Sequence, residues 1–418
     1  MSTFETGAAP ERLHALDAVR GLALMLGIVF HASISFLPSR IPVWIVMDND
    51  RSIALAVLFH VLHAFRMTTF FLIAGFFAHM MLQRRGTKGF IADRLKRIGI
   101  PLVAGWPILF GLILAATIWA AMRTAAATHT PLPPAPVYPG FPAFPLTHLW
   151  FLYLLLLFYA GALALRAVVR ALDRDGRMEA ASDRIVAALC GSVLAPFALA
   201  APLALALSVQ PEWPAWFGIP TPDASLLPNT PALVGFGSAF AFGWLVQRQP
   251  RLIEAWRDRW LLNLALFAAA TAAGFAITGV APLVGYAPRD WTTPALAGLC
   301  ALSAWSGTFA VIGLALRFLS GHSPARRYVA DASYWLYLIH LPLVLALQVA
   351  LAQLAWPWWV KFPLILAIAF PLMFASYEFM VRHSWIGALL NGRKHPWPAK
   401  RVAAQTQLPS ATRQESAQ

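Results

Sequence analysis

The sequence predicts an all-α polytopic membrane protein with about ten transmembrane helices and both termini in the cytoplasm. Three observations predict it. The 418 residues are 59% hydrophobic and 12% charged, about half the charged share of a soluble domain, with a mean hydropathy of +0.64. Apolar runs at 149–165, 185–207 and 260–277 have the length, about 17–25 residues, that a helix needs to cross a hydrocarbon core. They are continuous rather than alternating, which excludes a β-barrel. Finally, Lys and Arg collect on alternate connections between the apolar runs.

Ten spans are expected, at 15–38, 53–82, 98–122, 147–168, 184–208, 230–247, 260–281, 292–318, 329–354 and 358–382. Of the 32 Lys and Arg, 25 lie in 83–97, 166–184, 247–259, 317–328, 382–418 and at Arg12. The opposite connections hold five: Arg40, Arg51, Arg123, Arg289 and Lys361. The positive-inside rule then puts the basic set, and both termini, in the cytoplasm. The net charge of +14 is thus a matter of topology, with some attraction to anionic headgroups; nucleic acid is not an expected partner. Glu5 and Glu11 spoil the basic region of a cleavable signal, and the first apolar run is too long for one. Residues 1–392 are expected to form one integral membrane domain and 393–418 a polar, disordered cytoplasmic tail.

An ionisable side chain inside a span is costly and by default functional. In the first span, "RGLALMLGIVFH" separates Arg20 and His31 by eleven residues, about 20° beyond three full turns. They share one face, about 16 Å apart along the axis. Asp17, one turn before Arg20, is placed to pair with it. The second span carries His60, His63 and Arg66 as a drifting stripe, with His60 at a depth similar to that of His31. No carboxylate or cysteine joins them at helical spacing, so no metal site is expected. Arg94 and Arg97 stand at the inner mouth of the third span. They are either ordinary flanking charges or a hold for an anionic ligand.

Beyond the third span, "PLPPAPVYPGFPAFP" carries seven prolines, and "QPEWPAWFGIPTPD" (210–223) carries four more beside aromatics. Both read as stiff outer connections, or as covers of an outward cleft with aromatic faces for sugars. "THLWFL" places His148 and the interfacial Trp150 at the outer start of the fourth span. Cys190 and Cys300 sit in apolar runs as small buried hydrophobes. The ninth span contains His340. The tenth ends near Glu378, which pairs with Arg382 four residues on or serves a ligand.

"LDAVRGLALMLGIVFH", "FFLIAGFF", "RLKRIGIPL", "HLWFL" and "SYWLYLIHLPL", in this order, resemble the signature segments of the membrane acyltransferase-3 family. Arg20 and His31 match its Arg-x10-His pattern. "LHAFRMTTFFLIAGFF", "THLWFL" and "SYEFMVR" resemble the branch that modifies periplasmic glucans. Ala74 departs from the pattern, since a serine commonly precedes this glycine. The hydrolase-like domain of larger members is not expected here.

The resemblance implies an inner-membrane enzyme that moves a succinyl group from cytoplasmic succinyl-CoA to hydroxyls of periplasmic glucans. Acyl-CoA would be a donor substrate, with no permanently bound cofactor. His31 would be the general base, or carry the acyl group itself. Arg20, oriented by Asp17, would attract phosphate or carboxylate. Arg94 and Arg97 would hold the CoA phosphates, and His63 and Arg66 would line the channel near the acyl carboxylate or oxyanion. His148, His340 and Glu378 complete the candidate substrate-binding set. The alternatives are O-acetylation of lipopolysaccharide or another envelope glycan, and a glycan or lipid transporter. A transporter often shows repeated halves, and no such repeat is evident.

Overall fold

In hydrocarbon the backbone has no water to bond, so a chain this apolar must close its hydrogen bonds within each segment. The computed structural model describes residues 8–39, 44–132, 140–282, 285–288, 290–392 and 396, and among them every regular element is helical. The expected tail at 393–418 lies almost wholly outside the described residues, as does the middle of the first proline-rich connection.

In chain order the helices begin with α1 (Ala8–Ser33), α2 (Ile53–Arg94), α3 (Ile100–Thr128), α4 (Trp150–Leu172), α5 (Arg177–Gly191) and α6 (Ala195–Ser208). They continue with α7 (Thr230–Val246), the single turn α8 (Glu254–Asp258), α9 (Trp260–Thr278), α10 (Thr292–Phe318), α11 (Pro324–Leu351), α12 (Trp358–Ser376) and α13 (Trp385–Asn391). This is a multi-pass membrane protein. Seven segments among the described residues are long and apolar enough to cross, or eight if one bent pair counts as a span.

The difference from ten has physical reasons. The expected second and third spans lie in one run, Ile53–Thr128, interrupted by left-handed Gly86 (φ 67°) and a wide turn at Leu95–Gly99. The expected fifth span is not one helix: α5 and α6 meet at 110°. Pro196, near the start of α6, has no N–H with which to continue α5 across Ser192. α7 has 17 residues, about 26 Å of helix, at the lower limit for a core about 30 Å thick.

α1, α10 and α11 are buried over more than half of their apolar length, whereas α4, α9 and α12 are buried over about a quarter. α10 packs on α9, α6, α2 and α1, and α1 on α11 and α2. α2 also crosses α7 at backbone contact. A methyl group at Gly75 would overlap the Phe240 carbonyl, and one at Gly243 would overlap that of Leu72. The glycine of "FFLIAGFF" is therefore a packing glycine of the kind that lets membrane helices approach.

The connection after α6 folds inward. Trp213 and Trp216 are 1% and 2% exposed. Trp216 stacks on Phe59 of α2, and the indole N–H of Trp213 bonds the Gly218 carbonyl. This segment does cover a cavity, but Trp213 is buried with its N–H bonded to the protein, and Trp216 has one face covered by Phe59.

One ion pair fastens the loop before α2. Lys361, expected among the few charges of the outer connections, is 1% exposed and lies 2.9 Å from both oxygens of Asp48. Asp48 donates its backbone N–H to the Ser35 carbonyl, and Asp50 accepts the N–H of Trp358 at 2.7 Å. Burial pushes the Asp48 carboxyl above its ordinary range, against the pull of the ammonium. Removing one partner of such a pair leaves the other charge buried alone. Lys361→Met is therefore expected to cost about 3–5 kcal/mol, and adding Asp48→Asn to recover much of it. Unfolding in detergent of the single and double variants reads both; a single variant as stable as wild type would contradict the clamp.

Candidate active site

The site gathers at the end of α1. His31 lies against α11, its ring 5.1 Å from that of His340. His340 Nδ1 donates to the Tyr337 carbonyl at 2.6 Å, which leaves Nε2 as an acceptor. That Nε2 is buried without a partner, and so is His31 Nδ1.

Pro342 explains the next contact. Proline in a helix cannot bond the carbonyl four residues back, here that of Leu338. His148 takes that carbonyl instead, donating Nε2–H at 2.9 Å. Its own carbonyl accepts the Tyr337 hydroxyl at 2.7 Å, and its ring sits 5.3 Å from His340.

α2 supplies Arg66 and His63. The Arg66 guanidinium lies over the Phe30 ring at 4.5 Å, a cation–π contact in place of a counterion. No carboxylate pairs with it among the described residues. Gly27, one turn before His31, makes the room: a methyl there would overlap Arg66 Nη1. His63 stacks on Phe30 at 5.3 Å. Arg66 Nε and His63 Nδ1 are also buried without partners.

A brace closes the outer end. Gln348, 2% exposed, donates to the carbonyls of His31 and Ala32 at 3.0 and 3.1 Å. Its carbonyl accepts the indole N–H of Trp44 at 3.1 Å, and Trp44 lies parallel to the His31 ring at 5.8 Å. Sequence reasoning missed Gln348, Trp44, Tyr337, Gly27 and Pro342. A lone amide in "LVLALQVAL" and a proline just after His340 were the available signals.

Five of the expected residues thus come together: His31, His63, Arg66, His148 and His340. The others lie elsewhere. Arg20 pairs with Asp17 at 3.1 Å, at 40% side-chain exposure, and its guanidinium faces Phe77. Arg94 and Arg97 converge with Arg85 on the carboxylate of Asp93, which is 4% exposed. Three guanidinium groups on one carboxylate leave a positive excess, and Tyr334 fixes the turn by donating to the Arg97 carbonyl at 2.7 Å. Glu378 accepts bonds from Arg382 at 2.8 and 2.9 Å and from Tyr328 at 3.1 Å. That is the ion-pair alternative its spacing offered. His60 turns away to the Trp216 carbonyl. No group of three or more His, Cys, Asp or Glu among the described residues is placed to hold a metal ion.

The family model described as an acyltransferase domain, of the acyltransferase-3 type, matches residues 13–378. The chain belongs to the acyltransferase-3 family. Proteins named Glucans biosynthesis protein C are similar over a shorter stretch. That of Escherichia coli strain SMS-3-5 is 34% identical over 99 residues, and those of Shigella dysenteriae serotype 1 and Escherichia coli K12 are 33% identical over the same length. The aligned stretch is 24% of this chain and 25% of each relative. No solved structure matches significantly. The family match contains both the histidine cluster and the arginine cluster of this acyltransferase-3 chain.

Gln348→Leu would strip the bonds from Trp44 Nε1 and from two carbonyls at the end of α1. Each buried group left unbonded costs about 1–3 kcal/mol. A drop of at least 2 kcal/mol, roughly, is expected in detergent unfolding; unchanged unfolding would remove the brace.

Proposed function

We propose that this protein moves an acyl group from cytoplasmic acyl-CoA to hydroxyls of a periplasmic glycan, across the inner membrane. One observation carries the reading: four buried polar atoms without partners, on His31, His340, His63 and Arg66, fall within one group of neighbouring side chains. Atoms left unbonded in a membrane interior are costly, and a ligand that bonds them recovers that cost. Family membership supports acyl transfer as the chemistry.

In this reading a nitrogen of His31 takes the proton of the acceptor hydroxyl. The hydroxyl oxygen attacks the thioester carbonyl, the carbon–sulfur bond breaks, and the leaving thiolate takes the proton back from the imidazolium. The products are an ester and free CoA–SH, so atoms and charge balance. Arg66 and the acceptor nitrogen of His340 line the reacting centre, where a guanidinium can meet the oxyanion or an acyl carboxylate. His148 holds α11 in register. Arg94 and Arg97, with Arg85, offer the CoA phosphates their positive excess at the cytoplasmic mouth. Arg20, paired but partly exposed, attracts the same anions nearer the inner surface.

The topology belongs to the proposal: ten crossings, with α5–α6 and α7 completing the set, and both termini cytoplasmic. It rests on the 25-to-five division of Lys and Arg. Glucan as the acceptor is the specific form that the names of the relatives favour, and succinyl as the acyl group is the form that the motif resemblance implies.

Mass spectrometry of periplasmic glucans from a deletion strain tests this directly. Wild-type protein is expected to restore a succinyl-sized increment, and inserted His31→Ala and Arg20→Ala variants to lose it. Retained acylation with His31→Ala sinks the general base. An acetyl-sized increment changes the donor and keeps the mechanism; unchanged glucans move the acceptor to lipopolysaccharide or another envelope polymer.

A further inference from the structure

On the far side of the His63 ring lies a cleft between α2, α9, α10 and the connection after α6. Its wall includes His60, His63, Trp216, Thr271, Cys300 and Ser303. It carries no carboxylate, ammonium or guanidinium. It does carry unspent hydrogen-bonding capacity. Trp216, 2% exposed, has its indole N–H buried without a partner, and His63 Nδ1 is in the same state. Thr271 and Ser303, 7% and 4% exposed, make only one long contact, with each other at 3.4 Å.

The hydroxyls elsewhere on α10 behave differently. Ser306 and Thr308 donate to the carbonyls four residues back, at 2.6 and 2.7 Å, the usual resort of a hydroxyl in an apolar helix. A cleft with an indole donor, two neighbouring hydroxyls, imidazoles and small aliphatic walls, yet no formal charge, suits a neutral ligand rich in hydroxyl groups. It suits poorly an acyl-CoA, whose phosphates need cations. The cleft also adjoins the histidine cluster: Phe30 is in ring contact with both His63 and His31, at 5.3 and 5.0 Å.

We propose that this cleft is the acceptor subsite, in which Trp216, Thr271 and Ser303 bond the hydroxyls of a neutral glycosyl unit beside His63. The inference rests on the acyl-transfer reading. It adds where the acceptor is held and which residues determine its selection.

Steady-state kinetics of the full chain in proteoliposomes test it, with acyl-CoA as donor and a short gluco-oligosaccharide as acceptor. Thr271→Val removes a hydroxyl at nearly constant volume and is expected to raise the acceptor KM about three- to tenfold, with the acyl-CoA KM unchanged. Ser303→Leu fills the cleft and is expected to abolish saturation by the acceptor. A rise in the acyl-CoA KM instead would make the cleft a donor site and overturn the proposal. Unchanged constants in Thr271→Val and a folded Ser303→Leu would overturn it too. His31→Ala in parallel separates the two ideas: activity retained there defeats the acyl-transfer reading, whereas activity lost there with unaltered cleft variants defeats the subsite alone.

Discussion

A polar atom inside a bilayer has no water to turn to, so leaving one unbonded costs several kcal/mol. Much of this interior answers that constraint in full. Asp48 meets Lys361, Asp93 meets its arginines, and Thr69 and Ser333 bond helix carbonyls. Unbonded atoms occur elsewhere too, among them the Trp256 and Trp305 indoles on either side of Phe309, but at the end of α1 four of them, on three imidazoles and a guanidinium, neighbour one another. Such a group persists only if its surroundings hold it rigidly. Here they do: Gln348 fixes the carbonyls around His31, Tyr337 fixes His340 and His148, and Gly27 seats Arg66. The cost of the unbonded atoms falls on the scaffold before any ligand arrives, which is what preorganisation means for a reacting centre.

The scaffold that bears this cost is chiefly one stripe of α11. Residues three and four apart share a helix face; Tyr334, Tyr337 and His340 follow that spacing, and Gln348 lies two steps of four beyond. Tyr334 touches the arginine cluster through the Arg97 carbonyl, Tyr337 holds His148, His340 faces His31, and Gln348 closes the outer end. Tyr334 and His340 are six residues apart, about 9 Å of rise. One rigid element therefore sets the spacing between the two clusters. Pro342 does not weaken it there, because the carbonyl that Pro342 frees is taken by His148.

What could be read from the sequence follows the same physics. His31, His63, Arg66 and His340 stand out because a charge or imidazole in an apolar run has no cheap explanation. Helical class was legible because apolar runs of bilayer length admit few alternatives. Direction was not legible: composition counts apolar residues, and although Pro196 in "CGSVLAPF" marks a break, nothing there states that the chain turns by 110°. The Asp48–Lys361 clamp was hidden because its partners lie 313 residues apart and each looks like a loop charge. Gln348 was hidden because an uncharged amide is inexpensive enough in a helix to pass unnoticed until its three partners are seen.

The middle and the end of α1 carry opposite arrangements, at Arg20 and at His31, and the contrast bears on how a donor and an acceptor would be handled. Arg20 is partly exposed and already holds Asp17. An anion arriving there must compete with that carboxylate and with water, so binding is weak and readily reversed. His31 and Arg66 have desolvated nitrogens with no competing partner. An oxyanion forming there meets donors that need not reorganise and that interact strongly in a low dielectric. Binding energy at the entrance serves ground state and transition state alike, whereas binding energy at the cluster grows only as charge develops. In the acyl-transfer reading, the eleven-residue interval between Arg20 and His31 would separate a site suited to capture and release from one suited to stabilising a reaction.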